Sequence, residues 1–87
     1  MEIKRIKNIT RKDVPIYYRR LFTGALEIEL LGKIVERTID FTIETMPTGL
    51  SHVSVTIAEP LDYPLVPLLQ KLKPFIIKLD ESGGLPG

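Results

Sequence analysis

Through the middle of the chain apolar residues recur at every second position, the period of a half-buried strand. In Leu26-Glu27-Ile28-Glu29-Leu30, three aliphatics point one way and two carboxylates the other. Over residues 35–45, Val35, Ile39, Phe41 and Ile43 share one face, while Glu36, Thr38, Asp40, Thr42 and Glu44 share the other. Val53, Val55 and Ile57 repeat the pattern against His52, Ser54 and Thr56. Such alternation is expected of an antiparallel sheet with one buried and one wet face. A fourth, less regular strand is expected at about residues 16–22, which are rich in aromatics.

Turn residues suggest how these strands connect. Gly32-Lys33 lies between Leu31 and Ile34, and Gly first in a two-residue loop suits a type II′ hairpin. That register sets Leu30 opposite Val35, Leu26 opposite Ile39 and Glu29 opposite Glu36. Thr23-Gly24 would close the preceding hairpin in the same way, with Arg20 facing Glu27 and Tyr18 facing Glu29. Pro47-Thr48-Gly49 marks a longer loop, whose five-residue form sets His52 opposite Glu44.

After Pro60 the period changes. Leu65, Leu68, Leu69, Leu72, Phe75, Ile76 and Leu79 recur at three- and four-residue steps, which predicts an amphipathic helix over residues 62–81. Asp62 marks a cap region and Pro64 a first helical position. Pro74 removes the bond to the carbonyl of Gln70, so a kink or two short helices are expected. Gly83-Gly84 stops the element, and residues 82–87 read as a flexible tail. Residues 1–13 fit neither period, because Ile3, Ile6 and Ile9 recur every third position. They read as a basic arm or an extra strand. The fold class is then α+β: a single domain over residues 1–87, with the sheet in 14–60. It is an antiparallel four-stranded meander (β-β-β-β-α), one face covered by a C-terminal, Pro-kinked helix.

Length sharpens this picture. A domain of 87 residues buries only about 60–65% of its unfolded surface. Four strands also leave two sheet edges to protect. Homodimerisation through an edge strand or the helix relieves both problems and is expected here. No apolar run is long enough to span a membrane, and Met1-Glu2-Ile3-Lys4-Arg5 lacks the apolar stretch of a secretory signal, so a cytoplasmic protein is expected.

Charge is distributed unevenly. Residues 1–20 carry seven Lys and Arg against two acidic residues, whereas 21–63 carry two against seven. Either the basic arm folds back onto the acidic body, or it meets an acidic partner such as nucleic acid. The second reading centres on Tyr17-Tyr18-Arg19-Arg20, where aromatics beside Arg suit base stacking and phosphate contact. In the tight-turn register Arg19 and Arg37 flank Ile28 on the apolar face. There they snorkel, are re-aimed by a bulge, or bind an anion, with Glu59 and Asp62 as candidate internal partners. Tyr17, Tyr18, Arg19, Arg20 and Arg37 are therefore the candidate binding residues.

Catalytic chemistry finds little to build on. There is no Cys and one His, His52, on a polar strand face, so no zinc site and no cofactor are expected. Ser51, Ser54 and Ser82 lie in no nucleophile-elbow context. The facing carboxylates suit a cation or a raised pKa, but an acid/base site also needs a dry concave pocket. Met46, Leu61, Tyr63 and Pro67 form a possible apolar rim. The expected function is a non-enzymatic, homodimeric adaptor or regulatory module, with nucleic-acid binding as the alternative.

Overall fold

The computed structural model describes residues 1–12 and 18–86. Four strands and one helix follow in chain order: β1 (Glu2–Lys12), β2 (Arg19–Leu30), β3 (Lys33–Thr45), β4 (Ser51–Ile57) and α1 (Leu65–Glu81). The strands form one antiparallel sheet in the order β1-β2-β3-β4, the expected meander.

The strand divisions differ from expectation at one place. Residues 19–30 form one continuous strand, with no hairpin at Thr23-Gly24, and the first strand is the segment 2–12. The cause is the packing of β1. Ile3 pairs with Ile28 and Ile6 with Leu26, yet two residues, Lys4 and Arg5, separate Ile3 from Ile6 where β2 offers only Glu27. A second extra residue falls between Lys7 and Thr10. Asn8 takes it up at φ +54°, a left-handed conformation that Asn tolerates well. Each extra residue reverses the alternation of faces, so a three-residue spacing keeps Ile3, Ile6 and Ile9 on the core side. Gly24 is required beneath them. A Cβ there would lie 2.8 Å from Ile6 Cγ2 and 3.2 Å from Ile9 Cγ1.

The β2–β3 turn is displaced by one residue from the expected position. Leu30 pairs with Lys33, so the loop is Leu31-Gly32 and not Gly32-Lys33. Both loop residues have positive φ, +50° and +78°, as a type I′ turn requires. The register moves by two positions: Ile28 faces Val35, Leu26 faces Arg37 and Glu27 faces Glu36. A two-residue shift preserves every side chain's face, so the apolar pattern alone does not distinguish the two registers. Leu31 is fully exposed at its left-handed φ. Leu31→Asn, which creates the favoured Asn-Gly pair, is expected to stabilise the fold by about 0.5–1 kcal/mol. A urea melt checks this; an unchanged midpoint would mean that the turn conformation is not strained.

The core lies between the sheet and α1. Phe22 and Phe41, paired across β2 and β3, stack at 5.1 Å. Leu26, Ile28, Ile39, Ile43 and Val53 surround them, and Leu68, Leu72 and Ile76 close the core from the helix. α1 is one helix, not two, and Pro74 lies inside it. Both Pro74 and Gln70 are exposed, so water replaces the missing bond at the Gln70 carbonyl. No side chain caps the N-terminus: Pro64, not Asp62, occupies the boundary. The C-terminus closes as a Schellman motif. Gly84 N–H donates to Leu79 O (2.8 Å) and Gly83 N–H to Asp80 O (3.2 Å), with Gly83 at φ +77°. Leu85 then packs back on the core, so the tail expected to be flexible is held at least to that residue.

Candidate interaction surfaces

The Arg-rich start of β2 is divided between the two faces of the sheet. Tyr17 lies outside the described residues. Tyr18 is half exposed, and its carbonyl accepts from Thr45 N–H (2.9 Å) at the end of the ladder. Arg19 points to the outer face and donates through Nε (3.1 Å) and NH2 (2.7 Å) to one carboxylate oxygen of Glu44, its cross-strand neighbour. Arg20 points to the helix side. Its two terminal nitrogens each donate to one oxygen of Asp80 at 2.8 Å, a forked pair that holds the end of α1 to β2. These hydrogen bonds, chiefly, hold the Asp80 carboxyl below the ordinary carboxylate range, despite partial burial.

Arg37 also lies on the helix side, opposite Leu26. It snorkels to the strand–helix connection, where Nε donates to Pro60 O (3.0 Å) and NH1 to Glu36 O (2.8 Å). The expected flanking of Ile28 by Arg19 and Arg37 is therefore corrected: the two helix-side arginines are Arg20 and Arg37. Leu26 is six residues along β2 from Arg20, about 20 Å at the usual strand rise. Their partners are Asp80 and backbone carbonyls, in place of Glu59 and Asp62. The five candidate residues do not converge on one site.

The basic arm is β1, and it lies along the acidic strands. On the outer face Lys4 pairs with Glu2 and, at 3.8 Å, with Glu29; Arg5 bonds Glu27. Lys7 bridges Glu27 (3.2 Å) and Glu36 (2.7 Å), and Lys12 approaches Asp40 (3.9 Å). The facing carboxylates are thus Glu27 and Glu36, and the cation between them is the protein's own Lys7 ammonium. Hydrogen bonds from Arg5 and then Lys7 lower the Glu27 pKa, and those to Glu36 and then Glu27 raise that of Lys7. His52 stands opposite Glu44, as the five-residue loop predicts. Among the described residues no group of three or more His, Asp or Glu side chains could hold a metal, and no buried side-chain N or O lacks a partner.

The expected apolar rim is divided. Met46 lines an open hollow with Tyr18, Glu44, Thr45 and Pro47, before β4 begins. Leu61 lines another with Ile57, Pro60 and Leu65, after β4 ends. Tyr63 is half-buried against the core and Pro67 is exposed.

Two features outside the sequence motifs carry more weight. First, the sheet edges are unequal. β1 is guarded by two bulges and by Lys and Arg side chains, the usual devices against strand pairing. β4, Ser51–Ile57, has an uninterrupted register, no charged residue and no Pro. Second, α1 carries apolar surface outside its core row. Val66 is exposed and Leu69 and Ile77 are half-buried, at helical spacing with Lys73 among them. The signals were present in the sequence as the lack of charge in 51–57 and as two apolar residues, Val66 and Ile77, outside the predicted stripe.

Residues 1–81 match a protein family of unknown function that is designated by a locus number alone. No curated protein and no solved structure matches the chain.

Proposed function

The chain belongs to that locus-designated family, and from that premise we propose that it is a small non-enzymatic interaction module, a homodimeric adaptor or regulatory protein. The observation that carries this reading is the kind of binding capacity left on the surface. Lys4, Arg5, Lys7, Lys12, Arg19 and Arg20 are engaged by carboxylates of the same chain. What stays available is apolar and backbone: Leu65, Val66 and the edge of β4. Surfaces of that kind pair with polypeptides. The cytoplasm is the compartment this reading assumes, since a chain without Cys needs no oxidising environment. Light scattering on the purified chain tests it: the expected mass is twice the 9.9 kDa of one copy. A strict monomer at millimolar concentration that also captures no partner in crosslinking would overturn it.

Nucleic-acid binding through β1 and the Tyr-Tyr-Arg-Arg segment has weaker support, because phosphates would have to displace existing ion pairs. No retention of single- or double-stranded probes is expected, even at low salt. Binding that falls steeply with added salt, the signature of counterion release, would favour that reading instead.

A further inference from the structure

We propose that β4 pairs antiparallel with β4 of a second copy, about a two-fold axis passing at Ser54, to form a continuous eight-stranded sheet. This rests on the interaction-module reading and names its partner and surface. The argument begins with the backbone. Ala58 N–H donates to Thr38 O (3.0 Å) and Met46 N–H to Leu50 O (2.8 Å), and both pairs extend the β3–β4 register. Even-numbered residues along β4 therefore turn their backbone groups toward β3. Ser51, Val53, Val55 and Ile57 turn theirs to the open edge.

A two-fold at Ser54 matches those outward groups to themselves. Val53 meets Val55 of the second copy and Ser51 meets Ile57, each pair exchanging two bonds, about eight in all. The faces also agree. Odd residues stay on the helix side and even residues on the outer side, so Val55 and Ile57, only half-buried in one copy, gain an apolar neighbour. The strand holds no charged residue, so a symmetric copy brings no like charges together within it.

The helix supplies independent support. Lys71 Nζ reaches Met1 O (3.4 Å) on the β1 side of the molecule. Val66, Leu69, Lys73 and Ile77 lie roughly opposite Lys71 around the helix axis, hence on the β4 side. Among the strands, β4 is also the one whose backbone lies closest to α1. The unpartnered apolar row and the open edge thus face the same way, and one two-fold axis covers both.

Ser54 is exposed, and its substitution leaves the core untouched. Ser54→Lys sets two ammonium groups face to face in a non-hydrogen-bonded pair and is expected to weaken the dimer at least about tenfold, with the circular dichroism unchanged. Ser54→Glu does the same alone, and mixing the two variants restores the dimer mass. Since the chain has no Cys, Ser54→Cys introduces a single thiol, and oxidation is expected to link two copies through it. A dimer indifferent to Ser54→Lys, and not crosslinked through Ser54→Cys, would overturn the β4 interface while leaving the module reading standing. A wild-type monomer whose β4 amides become protected only when a different protein is added would assign the edge to a foreign strand and overturn the symmetric pairing. A wild-type monomer with no partner would sink both.

Discussion

Gly24→Val is expected to destabilise the domain by about 2–3 kcal/mol, read as a lower urea midpoint with an unchanged slope. A domain of this length holds about 4–13 kcal/mol in total, so the loss is large. Valine is ordinarily welcome in a strand, and its β-propensity favours the substitution by up to about 1 kcal/mol. Packing opposes it more strongly. The first added carbon already meets Ile6 Cγ2 at 2.8 Å, and the two γ-methyls have only Ile6, Ile9 and the Lys7 carbonyl to move against. Ile6 is buried, so it cannot swing to solvent. The penalty should therefore depend on Ile6. Ile6→Ala alone removes core contacts, but in the Gly24→Val background the same change relieves the clash, and the two should couple by about 1 kcal/mol or more. Additive effects, or a neutral Gly24→Val, would mean that β1 does not press on β2 as described.

The same contact explains why the sheet was only partly legible. Gly24 follows Thr23 between two strand-like runs, and locally that pattern signals a turn. What keeps the chain extended there is Ile6 and Ile9, more than a dozen residues upstream. The Ile3, Ile6, Ile9 spacing is a strand period interrupted by one extra residue at each step, and bulges leave no residue signature that local pattern detects. The β2–β3 register failed for a related reason. Shifts by two positions preserve the faces, so the hydrophobic pattern admits several, and Leu31 at φ +50° gives no warning of the turn it occupies. By contrast β3, β4 and α1 were readable because each buries one regular stripe, and the five-residue loop placed His52 correctly. The candidate arginines were visible as residues but not as a geometry. One residue of register decides whether Arg19 or Arg20 faces the helix, and their partners, Glu44 and Asp80, come from distant parts of the chain. The open edge was legible only as an absence of charge, which acquires meaning once β4 is known to be last in the sheet.

Arg20→Met is expected to cost about 2–3 kcal/mol at neutral pH, more than Asp80→Asn. Asp80 sits in the last turn of α1, where a negative charge works against the helix dipole by about 0.3–1 kcal/mol. Without Arg20 that carboxylate is left partly enclosed, unpaired and beside the wrong end of the helix. Asp80→Asn instead removes the dipole conflict along with the ion pair, so its loss is smaller. Both side chains are less than one-third exposed, 28% for Arg20 and 23% for Asp80, so solvent screens the pair less than the surface bridges of β1. The pH dependence follows from the lowered Asp80 pKa. A carboxyl whose folded pKa lies below its unfolded value contributes stability that is fully present above the unfolded value and fades as pH falls through the folded one. Wild-type stability should thus decline on the acid side, with Glu27, also lowered, contributing to the same limb. Asp80→Asn should flatten part of that decline and leave the Glu27 share in place. Urea melts on wild type, both single variants and the double variant, at neutral and acidic pH, decide the matter. A coupling energy near zero at neutral pH, or an acid limb unchanged by Asp80→Asn, would mean that the forked pair does not hold α1 to β2, and that the helix stays on the sheet through Leu68, Leu72 and Ile76 alone.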